Sequence, residues 1–432
     1  MFTPDKRLKA EHDCDRILYS DELRRLGGVT QVVAVGETPL FHTRLTHTLK
    51  VQQLARRLAE HFQRDESQSQ KLKQIGGVNV SAAEAAGLAH DLGHPPFGHV
   101  GEAELNECCE AHGLDGFEGN AQTFRIMTKL AVHPAEPRGK GLGISPDTLR
   151  AVIKYPFQRF GPHEGSPKWN AYPSETTDFL EARKGLSDNE RSLEAEIMDW
   201  ADDVTYAVHD LEDFIRARHV PIGALIENSA EREAFIDASW QRAAGKIEGA
   251  DRDEVVANFT SMLTMCFGGV YTQRDWQHSL ELMDGCRLLI HQYISGATLG
   301  ERPNPLLVPP NLRAEVGLFK QLTWYYVIFD PRLASLQLGQ KEIVHNLFDT
   351  LHKWLKQADE DQRLVRVPRR LAWALELTQI EEGSESYHTS DARYARAVAD
   401  YIASLTESQA IDLYHRIASP TGQSVLDPWM VY

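Results

Sequence analysis

Helical periodicity is the feature of this sequence that most restricts its fold. In residues 44–62 the apolar side chains recur at spacings of four and five residues, and residues 196–219 repeat the pattern. This spacing matches an α-helix with one buried face, whereas the strict alternation typical of strands is scarce. Two stretches, 30–35 and 364–368, favour short strands. We therefore predict a mostly α-helical protein with at most a few short strands.

Composition limits what else the chain could be. At 432 residues it can bury a large core without covalent cross-links, and its five cysteines show no CxxC spacing, which argues against both a disulfide framework and a thiolate zinc site. The formal charge of −16 argues against a surface that coats nucleic acid, although a local basic pocket stays open. No apolar run reaches the roughly 18 residues of a membrane span. We predict a cytoplasmic protein.

Residues 87–102, GLAHDLGHPPFGHVGE, contain three histidines and two carboxylates around a Pro-Pro pair. Ser81 and Glu84 match a capping box, which predicts a helix from about residue 82 to Pro95. On such a helix His90 and His94 share a face. A second helix is predicted after the prolines, and on it His99 and Glu102 lie three residues apart. The Pro-Pro break between the two helices would direct the His90–His94 pair and the His99–Glu102 pair into one region.

Imidazole and carboxylate ligands together suit a divalent cation: Mn, Fe, Ni, Zn or, less naturally, Mg. His47 and Asp202, each on a predicted helix of its own, extend the ligand set to His47, His90, Asp91 and Asp202. The spacing of His99 and Glu102 predicts a proton-transferring imidazole oriented by a carboxylate.

The four predicted ligands resemble those of the HD phosphohydrolase superfamily. A series of motifs extends the similarity, in order and spacing, to deoxynucleoside triphosphate triphosphohydrolases of the bacterial dGTPase type. The motifs are DRILYSDELRRLGGVTQV, HTRLTH, HDLGHPPFGHVGEAELN, FEGNAQTFRI, IKYP, YPSE and WADDVTYAVHDLED. They cover residues 12–215 almost continuously, and residues 396–417 are similar to a late helix of the family.

The resemblance implies an HD-domain catalytic core over residues 1–225 and a helical C-terminal region over 226–432 that packs on it. It also implies metal-dependent hydrolysis of a dNTP to deoxynucleoside and inorganic triphosphate. His99, Glu102 and His94 would be catalytic. The substrate-binding residues would be Gln31, Arg44, Lys154, Tyr155, Lys168, Tyr206 and Asp210. A homo-oligomer, a hexamer among the options, and activation by a second dNTP or by single-stranded DNA are further expectations.

Two departures from the family pattern stand out. Many relatives read FEHN where this chain has Phe117-Glu118-Gly119-Asn120, and ASLTE replaces the more usual AGMTD. The segment from about 225 to 390 matches least. Two alternatives remain: another HD phosphohydrolase, such as a nucleotidase or phosphodiesterase, and a nucleotide-sensing or nucleic-acid-binding regulator with a vestigial HD site.

Overall fold

The computed structural model describes residues 5–32, 41–160, 165–270, 276–381 and 387–418. Helices dominate these residues, which confirms the predicted mostly α-helical fold. Among them, no helix combines the length and hydropathy needed to cross a bilayer. All five cysteines are buried and free, as their spacing predicts.

The first ten α-helices are α1 Lys9–Leu18, α2 Asp21–Arg25, α3 Arg44–Arg64, α4 Ser69–Gln74, α5 Val80–Ala89, α6 His99–Ala111, α7 Gly119–Arg125, α8 Pro146–Val152, α9 Thr176–Ala182 and α10 Leu193–Thr205. The rest are α11 Leu211–Arg216, α12 Ile222–Glu227, α13 Ser229–Ala244, α14 Arg252–Phe267, α15 Trp276–Ser295, α16 Pro310–Thr323, α17 Pro331–Glu360, α18 Arg369–Ile380, α19 Ser390–Ala403 and α20 Glu407–Ala418. Turns of π-helix follow α7, α10 and α16, at Ile126–Leu130, Tyr206–Asp210 and Trp324–Ile328.

Extended structure is confined to one small hairpin within the described ranges. Strand β1, Thr298–Leu299, pairs antiparallel with β2, Leu306–Leu307. The strand predicted over 364–368 is wrong: Leu364–Arg366 is a 3₁₀ turn, Val365 is 93% exposed, and no strand of the described residues pairs with it. Of the strand predicted over 30–35, Thr30 forms a single bridge to Thr43, and residues 33–35 lie outside the described part of the chain.

Helices α3, α5 and α10 form the centre of the fold. A Cβ on Gly87 of α5 would lie 2.7 Å from the Gln52 Cα of α3, so these two helices touch backbone to backbone. The alanines on the buried faces of α5, such as Ala83 and Ala86, permit the same close approach. Small side chains therefore allow residues near the C-terminal end of α5 to meet those near the start of α3.

The boundaries of α5 differ from the sequence prediction. The Asn79 side chain accepts the Ala82 backbone N–H and caps the helix, which begins at Val80. Ser81 lies inside the first turn, and Glu84 instead pairs with Arg56 at 2.9 Å. The predicted capping box is therefore wrong, because an asparagine two residues earlier supplies a competing cap.

The C-terminal helices join the rest of the fold through two core clusters. One cluster joins buried residues of α6, such as Leu105, to α17, α18, α19 and α20. The other crosses the predicted boundary at residue 225, because it contains residues from before and after that position. Trp200 of α10, for example, donates its indole N–H to the Tyr293 carbonyl. The predicted division into 1–225 and 226–432 stays a prediction.

Candidate metal centre and catalytic cleft

Three helices bring His47, His90 and Asp202 together. His47 lies in the first turn of α3, His90 caps the end of α5, and Asp202 lies on α10. His47 Nε2 is 3.2 Å and His90 Nε2 is 3.7 Å from Asp202 Oδ1, and one ligand atom from each residue falls within 4.8 Å of the others. These separations suit three ligands of a single divalent ion.

Hydrogen bonds on the far side of each ring favour metal binding. His47 Nδ1 lies 3.1 Å from Asp210 Oδ1, and His90 Nδ1 lies 2.8 Å from the Gly87 carbonyl. A proton on each Nδ1 leaves both Nε2 lone pairs directed at Asp202, the arrangement typical of histidine ligands. His90 Nε2 has no hydrogen-bond partner among the described residues. The residues present therefore fit a divalent metal.

The carboxylates around His47 give this region a strong preference for positive charge. Burial alone would lower the pKa of His47, but Asp210 and Asp202 outweigh it and raise that pKa to about 10. Asp202 itself is held in the charged form: burial opposes ionisation, yet Lys154 and His47 lower its pKa well below the usual range. The cluster is built to hold a cation.

Asp91, the fourth predicted ligand, lies beside this group. Its Oδ2 is 3.4 Å from His90 Nε2 and accepts a hydrogen bond of 2.7 Å from Arg44, while its Oδ1 is 3.1 Å from His94 Nδ1. Arg44 also donates to the Thr30 carbonyl. The guanidinium predicted to grip phosphate is thus positioned by a carboxylate next to the metal cluster.

His94 reaches the site by a different route from the predicted one. Helix α5 ends at Ala89, and the chain from His90 to Gly98 winds through successive turns, so His90 and His94 do not share a helical face. Phe97 and Gly98 adopt positive φ angles of 67° and 56°. The predicted continuation of the helix to Pro95 is wrong, yet the turns still place the His94 ring 5.2 Å from that of His99.

His99 and Glu102 form the predicted pair. Helix α6 begins at His99, and His99 Nδ1 lies 2.8 Å from Glu102 Oε2. The other Glu102 oxygen accepts from Lys168 at 2.7 Å and from the Gly119 N–H at 3.1 Å. Burial opposes ionisation of Glu102, but His99 and Lys168 hold its pKa well below the usual range. A buried, charged carboxylate therefore fixes a histidine whose side chain is 70% exposed.

Comparison with known proteins agrees with this geometry. Residues 44–207 match the family model for the HD domain, and residues 306–416 match the phosphohydrolase-associated domain. A deoxyguanosinetriphosphate triphosphohydrolase-like protein of Streptomyces coelicolor is 34% identical over 96% of this chain and 94% of its own length. This chain belongs to the HD-domain family of dGTPase-like proteins. Relatives with the same name from Corynebacterium efficiens and Shewanella halifaxensis are 32% and 29% identical, over 94% and 98% of this chain and 90% and 95% of their own lengths.

The cations of this HD-family hydrolase that were predicted to bind phosphate are paired with carboxylates. Lys154 lies 2.8 Å from Asp199 and 3.2 Å from Asp202. Lys168 bridges Glu102 and Glu118, with a distance of 3.0 Å to the latter. Sequence reasoning missed Asp199 and Glu118, because their roles depend on contacts between segments far apart in the chain.

Gln31 and Asp210 meet behind His47. Gln31 donates from Nε2 to Asp210 Oδ2 at 2.9 Å, and Asp210 Oδ1 faces His47. Asp210 ends the π-helical turn after α10, and the carboxylates of Asp210 and Asp202 contact the two ring nitrogens of His47. Tyr206, in the same turn, lines the cleft with Lys320 Nζ 5.5 Å from its ring.

A cleft of about 340 Å³ connects these groups. Glu102 and Asp210 lie behind it, and all the other predicted site residues line it: Gln31, Arg44, His47, His90, Asp91, His94, His99, Lys154, Tyr155, Lys168, Asp202 and Tyr206. Sequence reasoning missed the part of the wall that comes from the end of α16, the π-helical turn after it and α17: Lys320, Trp324, Ile328, Leu333, Gln337 and Gln340. These positions carry no local motif.

Gly119, the departure from the family pattern, lies beside the His99–Glu102 pair. A Cβ there would be 3.5 Å from His94 Cε1 and 3.6 Å from Glu102 Oε1. Its N–H already supports Glu102, so the backbone at this position takes part in the site without a side chain. Asn120, which follows, lines the cleft and donates to Glu118.

Proposed function

We propose that this HD-domain hydrolase converts a dNTP to deoxynucleoside and inorganic triphosphate. The observation that carries the proposal is the arrangement of one cleft, in which a His-His-Asp cluster, a His99–Glu102 pair and the cations Arg44, Lys154 and Lys168 face the same space. The names of the related proteins support a triphosphate substrate.

The divalent ion would be held by His47, His90 and Asp202, with Asp91 beside them. The candidate metals are Mn, Mg, Fe, Ni and Zn. When bound, the ion supplies Lewis-acid polarisation at the α-phosphate. His99 carries the proton transfer. With Nδ1 held by Glu102, its Nε2 takes a proton from the attacking water or returns one to the departing 5′-oxygen. His94, whose Nδ1 lies 3.1 Å from Asp91 Oδ1, would contact the phosphate under attack.

The cations of the cleft recognise the phosphates. A triphosphate brings about four negative charges, and these compete with the carboxylates that now pair with Lys154, Lys168 and Arg44. Because each cation is already positioned by an ion pair, little side-chain freedom is lost when the substrate binds. Tyr155, which also lines the cleft, lies beside Lys154.

Sugar selection would depend on Gln31, Asp210 and Tyr206. Gln31, which lines the cleft and is held from behind by Asp210, offers its side-chain oxygen as an acceptor to a 3′-hydroxyl. The Tyr206 ring packs against C2′ and leaves no space for a ribose hydroxyl. Ribonucleotides are then rejected by a clash, and dideoxynucleotides by an unpaired polar group at a cost of about 1–3 kcal/mol.

The test is product analysis for each dNTP with each metal, in water enriched in heavy oxygen. Attack at the α-phosphorus with departure of the 5′-oxygen releases intact triphosphate that carries the label, and leaves the nucleoside unlabelled. Pyrophosphate or monophosphate as the first product would overturn the proposal in favour of another HD phosphohydrolase, a nucleotidase or phosphodiesterase. Nucleotide binding without hydrolysis under every metal would indicate a sensing or nucleic-acid-binding regulator.

The sugar assignment has its own matched variants. Tyr206→Ala should relax the exclusion of ribonucleotides, while Tyr206→Phe, which keeps the ring, should retain it. Gln31→Ala should lower kcat/KM for deoxy substrates and so narrow their advantage over dideoxy substrates. Equal rates of the unmutated protein on GTP and dGTP would contradict the assignment.

The proposal extends to assembly and activation. We expect a cytoplasmic homo-oligomer, with a hexamer as the assembly to test first, activated by a second dNTP or by single-stranded DNA. Sedimentation velocity measures the assembly. Rates at fixed substrate with added oligonucleotide or a second dNTP measure the activation.

A further inference from the structure

A second group of metal-ligating side chains lies at the other end of α6 from the cleft. His112 follows the last residue of α6, His352 lies on α17, and Asp391 lies in the first turn of α19. One ligand atom from each falls within 4.8 Å of the others. Helix α6 has 13 residues, so at roughly 1.5 Å per residue this group lies about 20 Å along the helix axis from His99.

The separations within the group are those of ligands around one ion. Asp391 Oδ2 is 2.7 Å from His112 Nδ1, and Asp391 Oδ1 is 3.5 Å from His352 Nε2. In a tetrahedral site with bonds of about 2.0–2.1 Å, neighbouring ligand atoms are roughly 3.3 Å apart. The two imidazole centroids are 4.2 Å apart. Small rotations of these side chains would admit the ion between them.

The surroundings keep the group in place and accessible. His352 is 6% exposed and stacks on Phe348 at an interplanar angle of 7°. The Asp391 side chain is 41% exposed, which leaves an open position for water or an entering ion. The remaining contacts are weak: His352 Nε2 is 3.4 Å from the Asp391 carbonyl, and Lys356 Nζ is 3.9 Å from Asp391 Oδ1 on a half-exposed side chain.

We propose that His112, His352 and Asp391 bind a second divalent metal of the zinc class, separate from the ion of the catalytic cleft. Two imidazoles and one carboxylate with an open fourth position are a common ligand set for Zn²⁺. The site would connect the two family-matched segments, because His112 belongs to 44–207 while His352 and Asp391 belong to 306–416. A bound ion there fastens α17 and α19 to the helix that begins with His99.

A neighbouring group serves as an internal comparison. Glu104, Cys108 and His345 also come within reach of one another, on the same pair of helices α6 and α17. There Lys341 Nζ lies 3.1 Å from Glu104, so an ammonium already neutralises the carboxylate. Burial and the charge of Glu104 raise the pKa of the Cys108 thiol, which disfavours the thiolate that a metal needs. We therefore propose no metal site at Glu104, Cys108 and His345.

The experiment measures bound metal and not activity. Full-length protein is stripped with a chelator, reloaded with Zn²⁺, desalted and analysed by elemental mass spectrometry. Asp391→Asn and His352→Ala should each lower the zinc content by one equivalent relative to the unmutated protein, whereas His345→Ala, the matched control, should not. Asp202→Ala should retain the equivalent at the second site, and adding Asp391→Asn to it should remove that equivalent.

Unchanged zinc content in Asp391→Asn would overturn the proposal. Because His352 is buried, its variant is interpreted only if circular dichroism shows native helicity; otherwise Asp391→Asn, at a part-exposed position, decides the outcome. The readout does not depend on the catalytic proposal. If the cleft binds no metal, Asp202→Ala matches the unmutated protein, while Asp391→Asn still loses one equivalent.

Discussion

The His99–Glu102 pair gives the sharpest test of the catalytic assignment. Glu102 uses both oxygens: one holds His99 Nδ1 at 2.8 Å, and the other accepts from Lys168 and the Gly119 N–H. Glu102→Gln keeps the size of the side chain but removes the charge that orients the ring and stabilises its protonated form. His99→Ala removes the ring itself. Both changes should disable the same proton transfer.

The magnitude follows from what the pair contributes. Proton transfer by a positioned side chain accelerates reactions about 10²- to 10⁴-fold, which corresponds to roughly 3–5 kcal/mol of transition-state stabilisation. Each single variant should lose kcat by this order. The double variant should be little slower than His99→Ala, because a carboxylate without its histidine has nothing left to orient.

The assay is triphosphate release at saturating dNTP, with metal content and dNTP affinity measured on the same preparations. Metal content should stay unchanged in both variants, since neither residue belongs to the His47 cluster. His12→Ala, at a part-exposed position near the N-terminus, controls for loss of a histidine elsewhere. Losses that multiply in the double variant would refute the reasoning, because they would mean that the two residues act independently.

Three further outcomes follow from buried charges. Asp91→Ala should abolish hydrolysis and remove one equivalent of metal, measured by elemental analysis, while circular dichroism shows an intact helical fold; full metal content would remove Asp91 from the ligand set. Arg125→Met breaks fully buried ion pairs with three carboxylates. The free energy of unfolding, measured in urea, should therefore fall by about 3–5 kcal/mol. The exposed control Arg24→Met should lower it by less than about 1 kcal/mol. Burial raises the pKa of Glu315 to about 7 despite the Tyr293 hydrogen bond, so the folded state holds its proton more tightly than the unfolded chain and stability falls as pH rises from about 4.5 to 7. Glu315→Gln removes the titrating group and should reduce this loss of stability, which is at most about 3 kcal/mol. Urea unfolding midpoints at pH 5 and pH 8 measure the loss. An equal fall in the variant and in the unmutated protein would contradict the reasoning.

Local sequence signals predicted the elements that depend on few long-range contacts. The apolar periodicity of residues 44–62 and 196–219 corresponds to α3 and to α10 with its continuation, since a helix that buries one face needs that spacing whatever it packs against. The spacing of His99 and Glu102 likewise translates directly into a contact, because both lie in the first turn of α6.

Predictions that required a choice between local competitors were less successful. Asn79 and Ser81 can both cap a helix, and the structure selects Asn79, whose backbone N–H also donates to Glu194. The sequence predicts that α5 continues to Pro95, beyond its actual end at Ala89, because no local signal marks Ala89 as the last residue. The apolar stretch 364–368 is typical of a strand, but no strand in the described part of the chain shares hydrogen bonds with it, and it forms a turn.

The sequence by itself determined the helical class, the family and the residue types of the site, because periodicity and short motifs are properties of neighbours in the chain. Only the tertiary structure decided which site residues on different helices meet. The backbone contact at Gly87 brings His47 to His90, the π-helical turn places Asp210 behind His47, and α16 with α17 closes the cleft with Lys320 and Trp324. Each of these contacts joins segments far apart in the chain, where packing geometry and charge pairing, not local propensity, fix the distances.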